Sequence, residues 1–346
     1  MMIRGQDQVI TALENLLESE RFPHGLLLSG PEGVGKRMLA LLLAETLLTP
    51  KNLRSPLPTL NSQSIETRKQ LCEDSALVIS GSHPDLFYLG KLEDKRDIAV
   101  EGVRELIGQL SLKSYRGGAK VALIDDAHRL SNAGANALLM TLEEPPPNTY
   151  LILCSHAEHR LPATILSRLQ KLSCGSLTDA TVGEIIGNLT NRKGSSIAGD
   201  LSGSGPNISE ILDLCDGSLG PLEIDRFRNP LTSTITEPEE LDEHLQQIST
   251  QLRAWEGALK SLESNQGAAE AMRLASLVTK SDVGAPLFLG FVRNRLRRQM
   301  RQSQNAAQTR ELASQLLATI DTERGILERN LNAELQLSRL LHGQAL

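Results

Sequence analysis

Apolar positions along this chain change their spacing several times, and each change marks an element. Between Ile3 and Glu20 the residues Val9, Ile10, Leu13, Leu16 and Leu17 recur at helical intervals and share one face. His24-Gly25-Leu26-Leu27-Leu28-Ser29 is an unbroken apolar run leading into glycines, the pattern of a short buried strand. From Arg37 to Leu48 a Leu- and Ala-rich stretch reads as a helix stopped by Pro50. Prolines and small polar residues then make 49–66 a loop or irregular insertion. Ser82-His83-Pro84-Asp85 marks a turn before a strand, Leu86-Phe87-Tyr88-Leu89, and Ile98 to Ser111 is helical. Gly117-Gly118 turns into an apolar strand from Lys120 that ends on Asp125 and Asp126. Ser131 is placed to cap a helix running to Glu144, where Pro145-Pro146-Pro147 stops it. Tyr150 to Cys154 is a further strand.

Strands that alternate with helices through residue 172 predict a largely parallel, doubly wound sheet flanked by helices. The texture then changes. Gly194, Ser195, Ser196, Gly203 and Gly205 make 192–207 a flexible connection. From Glu239 onward the pattern is helical, with breaks near Gly267 and at Gly284-Ala285-Pro286. The expected division is an α/β domain over 1–173, a small helical domain over 174–229 and an all-α domain over 230–346. There is no clear internal repeat.

Composition narrows the function. Aromatics are only 3% of the chain, so the cores must be built from aliphatic residues. A formal net charge of -6 argues against binding nucleic acid by bulk attraction, leaving a local patch or a partner to make any such contact. The amphipathic start, with Asp7 and Glu14, is not expected to be a signal peptide, and no apolar run reaches the roughly 20 residues of a membrane span. A cytoplasmic location is the expectation. Cys72, Cys154, Cys174 and Cys215 lie far apart without a CxxC pair and read as thiols in a reducing compartment.

Gly30-Pro31-Glu32-Gly33-Val34-Gly35-Lys36-Arg37 follows the phosphate-loop pattern through its lysine, between a strand and a helix. Gly30, Gly33 and Gly35 would let backbone N–H groups face a phosphate, and Lys36 would reach its outer oxygens. The next position normally holds Ser or Thr, whose hydroxyl ligates Mg2+. Arg37 cannot ligate a cation and would repel one, although it can still touch a phosphate, so nucleotide binding without magnesium stays open. Asp125 and Asp126 arrive at the sheet edge where a metal and an attacking water would sit. Two acids can also simply cap a strand end.

Lys120 to Leu130, Asn136 to Pro146 and Thr164-Ile165-Leu166-Ser167-Arg168 together resemble bacterial clamp-loader subunits of the AAA+ family. Ser82-His83-Pro84-Asp85 and the Arg116-to-Val121 approach favour the delta-prime branch over the gamma/tau motor. The resemblance is close from 3 to about 172 and fades beyond. It implies an AAA+ domain, a helical lid and a C-terminal collar, with gamma/tau ATPase subunits, a delta subunit, a sliding clamp and primed DNA as partners and no membrane. Active relatives follow the aspartate with glutamate, so Asp126 holds its carboxylate about an ångström back, a displacement that costs on the order of a hundredfold in rate. The resemblance also implies that Arg168 enters a neighbouring subunit's ATP site, although Leu169 replaces the usual cysteine. A helix-terminal arginine can instead satisfy the helix dipole. Gly220 stands where ATP-using relatives carry an arginine, Met140 where they often carry lysine, and only Cys72 remains of a four-cysteine zinc module. No cofactor of its own is expected: ATP would sit on neighbours, and zinc needs more soft ligands. The alternative is an active AAA+ ATPase, a gamma/tau-like motor or a helicase loader, that tolerates these changes. Arg293, Arg295, Arg297, Arg298 and Arg301 spread round a helix and read as a solvated or subunit-facing surface.

Overall fold

The computed structural model of the chain describes residues 4–19, 22–49, 77–78, 81–90, 97–189, 215, 219, 222, 238–265, 268–279, 284–303, 305–329 and 331–343. Residues 50–66 of the expected insertion, Cys72, the 192–207 connection and Gly220 lie outside them. The chain divides into two compact units. One comprises Met1–Thr181, Gly217–Gly220 and Ile224–Thr236, and the other Val182–Asp216, Pro221–Glu223 and Glu237–Leu346.

The first unit is built on five parallel strands: β1 (Gly25–Ser29), β2 (Leu86–Leu89), β3 (Lys120–Ile124), β4 (Thr149–Ser155) and β5 (Gln170–Ser173). Their order is β2-β3-β4-β1-β5. β1 and β3 are buried at every position, as uninterrupted apolar runs must be when helices cover both faces of a parallel sheet. The register sets Leu28 between Cys154 of β4 and Leu172 of β5. Because all strands point the same way, the carboxyl ends of β1, β3 and β4 emerge along one edge, where open α/β sheets place ligands.

Helices α1 (Asp7–Glu18), α2 (Lys36–Leu48), α3 (Val100–Ser111), α4 (Asn132–Glu143) and α5 (Ala163–Leu166) accompany the strands, whereas α6 (Asp179–Leu189) belongs for the most part to the second unit. Val103, Leu106 and Leu110 of α3 and Ala135, Leu138 and Leu142 of α4 share one core with Leu27, Ala122, Ile124, Leu151 and Leu153. Ser131 caps α4 as its sequence predicts, its hydroxyl oxygen accepting from the Gly134 N–H at 3.1 Å. Lys120 is buried at the start of β3, and its ammonium donates to the carbonyls of Leu110 and Leu112 where α3 ends. That is the favourable end for a cation.

The second unit is helical in its described residues: α7 (Pro238–Asn265), α8 (Ala268–Thr279), α9 (Gly284–Gln302), α10 (Ala306–Arg329) and α11 (Ala333–Gly343). Trp255 is fully buried and meets Phe288 edge-on, with ring centroids 5.3 Å apart. α7 ends at Asn265 and α8 begins at Ala268, and the expected break at Gly267 itself lies outside the described residues. The expected break at Gly284-Ala285-Pro286 falls where α9 begins, and the missing proline N–H is one the first turn leaves unused anyway. In the arginine cluster, Arg293 pairs with Glu323 of α10 at 2.7 Å, while Arg298 and Arg301 are exposed. No described helix is long and apolar enough to cross a membrane.

Candidate phosphate-loop site

The loop from Gly30 to Gly35 joins β1 to α2, and all three pattern glycines have positive φ: 148° at Gly30, 73° at Gly33 and 97° at Gly35. A side chain is strained in such conformations. At Gly30 space is lacking as well, since a Cβ would come 2.2 Å from the Cys174 carbonyl oxygen. Two hydrogen bonds hold the loop's root to its neighbours, Gly30 N–H to Ser155 O at 3.2 Å and Cys174 N–H to Ser29 O at 2.7 Å. The buried side chain of Gln6 adds a clamp. Its amide donates to Gly175 O at 2.8 Å and to Val34 O at 3.4 Å, and its oxygen accepts from Gly175 N–H at 3.1 Å.

Lys36 opens α2 and is buried, which pulls its pKa below the ordinary lysine value. Its ammonium donates to Gly30 O at 3.0 Å and Pro31 O at 2.5 Å, so the loop satisfies its own lysine. Arg37 turns toward β3. Its Nη1 lies 3.4 Å from Asp125 Oδ2, the two side chains being 20% and 17% exposed. The same oxygen accepts from the Tyr88 hydroxyl at 3.3 Å, while Asp125 Oδ1 accepts from the Asp126 N–H at 3.0 Å. Burial, and then the charge of Asp125, keep the Tyr88 phenol protonated well above its usual range. Tyr88 was not legible as a site residue, because in sequence it is one member of an apolar strand.

β3 ends with its apolar run at Ile124, two residues before the expected end on Asp125 and Asp126, and Asp126 takes a left-handed conformation with φ 49°. This turn carries Asp126 out of line with Asp125 and into a group with His128 and His156. His156 Nδ1 is 3.7 Å from Asp126 Oδ1, and the two imidazole centroids are 4.0 Å apart. Burial lowers both histidine pKa values, that of His128 to about 4 with His156 as the next cause. Cys154 and Cys174 are buried free thiols, and burial raises both, Cys174 to about 11. They are inert packing groups at neutral pH.

The structure does not bring Arg168 to this site. It follows α5 and precedes β5, and its carbonyl lies beside Gly25 at the start of β1. Five residues at a strand rise of about 3.3 Å place it roughly 16 Å from the start of the loop, at the opposite sheet edge. The guanidinium is one-third exposed, paired with Glu143 at the end of α4, and donates to Thr164 O at 2.8 Å. Glu143 belongs to the Leu-Glu-Glu-Pro-Pro stretch, but nothing in the spacing shows that it meets Arg168. Met140 is 78% exposed on α4. Asp85 of the His-Pro-Asp turn is 2% exposed and accepts from Tyr115 N–H at 2.7 Å, Arg116 N–H at 2.9 Å and Ser114 Oγ at 3.0 Å. That aspartate anchors the 114–116 loop to the His-Pro-Asp turn.

Residues 5–178 match the family described as DNA polymerase III, delta subunit. Among curated relatives, the DNA polymerase III subunit delta' of Pseudomonas aeruginosa is 38% identical over 151 residues, covering 44% of this chain and 43% of that one. The subunit tau/gamma of Haemophilus influenzae is 32% identical over 189 residues, 55% of this chain and 25% of that one. The subunit delta' of Escherichia coli is 42% identical over 97 residues, 28% of this chain and 29% of that one. The chain thus matches less than half the length of each of these relatives.

Proposed function

The chain belongs to the DNA polymerase III, delta subunit family, which gives it a role in DNA replication, and we propose that it is the delta-prime subunit of a bacterial clamp loader. On this reading residues 1–173 form an AAA+ domain, 174–229 a lid and 230–346 a collar. The chain works in the cytoplasm beside gamma/tau ATPase subunits and a delta subunit, and the assembly opens a sliding clamp on primed DNA. It turns over no ATP of its own, and Arg168 completes a neighbour's site.

One observation carries the reading. Arg37 occupies the place of the metal-binding hydroxyl and spans to Asp125, the acid that would help hold the same ion. A cation entering there would meet a guanidinium and would have to break an ion pair. Lys36, turned onto the loop's own carbonyls, adds to this. Arg168 supports the second half of the reading, because it stands at the sheet edge away from its own loop and is partly exposed. An arginine there is too far from its own loop to touch a nucleotide bound in it, so a role in catalysis requires a nucleotide held by another chain.

The test is reconstitution. The isolated chain should show no ATPase, and Arg168→Ala should lower hydrolysis by the assembled loader by roughly the 10³- to 10⁵-fold attributed to arginine fingers, diluted by however many sites lack this contact. Turnover by the isolated chain, or an assembled loader indifferent to Arg168→Ala, would overturn the proposal. A second reading, an active gamma/tau-like ATPase, draws on the 189-residue match to a tau/gamma relative and on the intact glycine geometry. Tight Mg2+-dependent ATP binding by the isolated chain would select it.

A further inference from the structure

Two imidazoles and a carboxylate converge beside the phosphate loop without forming the hydrogen bonds that would account for their proximity. Asp126 leaves β3 in the left-handed conformation, His128 follows within the short helical turn Ala127–Arg129, and His156 emerges just after β4. One ligand atom from each of the three lies within 4.8 Å of the other two. The His156 Nδ1 to Asp126 Oδ1 distance, 3.7 Å, is too long for a hydrogen bond. The imidazole planes are inclined at 59°, so the rings do not stack flat. His128 is 6% exposed, and its Nδ1 is buried with no hydrogen-bond partner among the described residues. Buried polar atoms are rarely left in that state, and coordination to a metal ion would satisfy this nitrogen.

We propose that Asp126, His128 and His156 form a binding site for a borderline divalent cation, Zn2+ foremost. The donor set decides the class. Imidazole nitrogen suits Zn2+ and its first-row neighbours, whereas Mg2+ requires oxygen ligands. Three protein ligands with a water in the fourth position complete a tetrahedral zinc sphere. Ligand atoms about 2.0–2.1 Å from a tetrahedral ion stand about 3.4 Å from one another, so closure needs movements on the order of an ångström. His156 and Asp126 are partly exposed and free to make them. Arg129 Nε lies 3.5 Å from Asp126 Oδ2, which orients the carboxylate and leaves Oδ1 on the histidine side. Its charge and that of Lys36 oppose a cation, so the site binds more weakly than a structural zinc centre. This site stands apart from the clamp-loader reading, since its geometry contains neither a nucleotide nor a partner.

The experiment uses the full chain, stripped with a chelator and titrated with Co2+ while visible absorption is followed, then with Zn2+ in competition and Mg2+ as the control. One equivalent of Co2+ should give the intense bands of a four-coordinate ion with no thiolate charge-transfer band, and Zn2+ should displace it. His156→Ala and Asp126→Asn, both at partly exposed positions, should keep the wild-type circular dichroism and each lose more than about 100-fold in affinity, beyond the range of losses caused by outer-shell changes. Zn2+ binding no tighter than Mg2+, a thiolate band, or an affinity unchanged in both variants would overturn the proposal.

Discussion

Replacing Arg37 by threonine is expected to convert the loop into one that grips magnesium, at a small cost in stability. In the native chain the guanidinium and Asp125 stand 3.4 Å apart. Two unit charges at that distance attract by about 5 kcal/mol at an effective dielectric of 20 and by about 1 kcal/mol in water. Both side chains are roughly one-fifth exposed and the distance is long for a charge-assisted hydrogen bond, so the net contribution falls near the lower end, about 1–2 kcal/mol. Asp125 keeps the Tyr88 hydroxyl and the Asp126 N–H after the substitution. The variant should therefore lose only about 1 kcal/mol, a drop of about 2–4 °C in Tm for a unit of this size.

The gain is chemical. A threonine hydroxyl and a released aspartate then lie beside Lys36, which is what Mg2+ bridging to a phosphate requires. Binding of a fluorescent ATP analogue should become at least about tenfold tighter with Mg2+ than with chelator, equal to about 1.4 kcal/mol. Arg37→Ala separates the two effects, since it removes the positive charge without supplying a hydroxyl and should show little magnesium dependence. If wild type already binds Mg2+-ATP tenfold better than free ATP, or if the alanine and threonine variants depend on Mg2+ equally, then the hydroxyl does not govern magnesium binding here.

Gly30→Ala and Gly35→Ala should differ sharply in urea denaturation. The first combines a positive φ with a Cβ 2.2 Å from a backbone oxygen and should cost more than about 3 kcal/mol, whereas the second has open space around its Cβ and should cost about 1–2 kcal/mol of backbone strain; equal losses would show that the loop relaxes freely. Asp85→Ala should cost about 3 kcal/mol or more, because three donors lose a buried carboxylate; a neutral result would mean that water replaces it. Acid should destabilise the first unit through His128, which stays neutral to about pH 4 while the unfolded chain's histidine takes its proton near 6.5. Between those values the unfolded state binds more protons, so stability falls as pH drops through the window, by on the order of 1–2 kcal/mol after solvent screening. Melts in chelator should show a shallower acid slope for His128→Asn than for wild type, and parallel slopes would count against this assignment.

Where burial was decided by local pattern, the chain was readable. β1 and β3 are continuous apolar runs and became strands buried at every position. The three loop glycines were assigned from spacing and all require positive φ. Ser131 caps the helix it precedes. β5 went unread because Gln170-Lys171-Leu172-Ser173 is mostly exposed and carries no apolar period; it is an edge strand defined by its pairing to β1 and by Lys171 reaching Glu158 at 2.6 Å. The site was half legible for a related reason. Lys36, Arg37 and Asp125 announce themselves by motif, but Tyr88 and His156 arrive through strand order, and Glu143 meets Arg168 only because α4 and α5 pack together. Contacts between residues distant in sequence leave no periodic trace.

The parallel sheet also makes this unit directional. Everything placed at strand carboxyl ends shares one edge, and everything that precedes the strands shares the other. The phosphate loop and its acids take the first edge, while Arg168 takes the second. A protein with an acceptor on one edge and a donor on the opposite edge is suited to heterologous, head-to-tail association, in which each interface joins unlike surfaces. On the function proposed above, a chain whose own cleft is closed by the Arg37–Asp125 pair would still contribute to such a row through Arg168. Arg37 and Arg168 therefore lie at opposite strand ends of one sheet, and each can be substituted and assayed without touching the surroundings of the other.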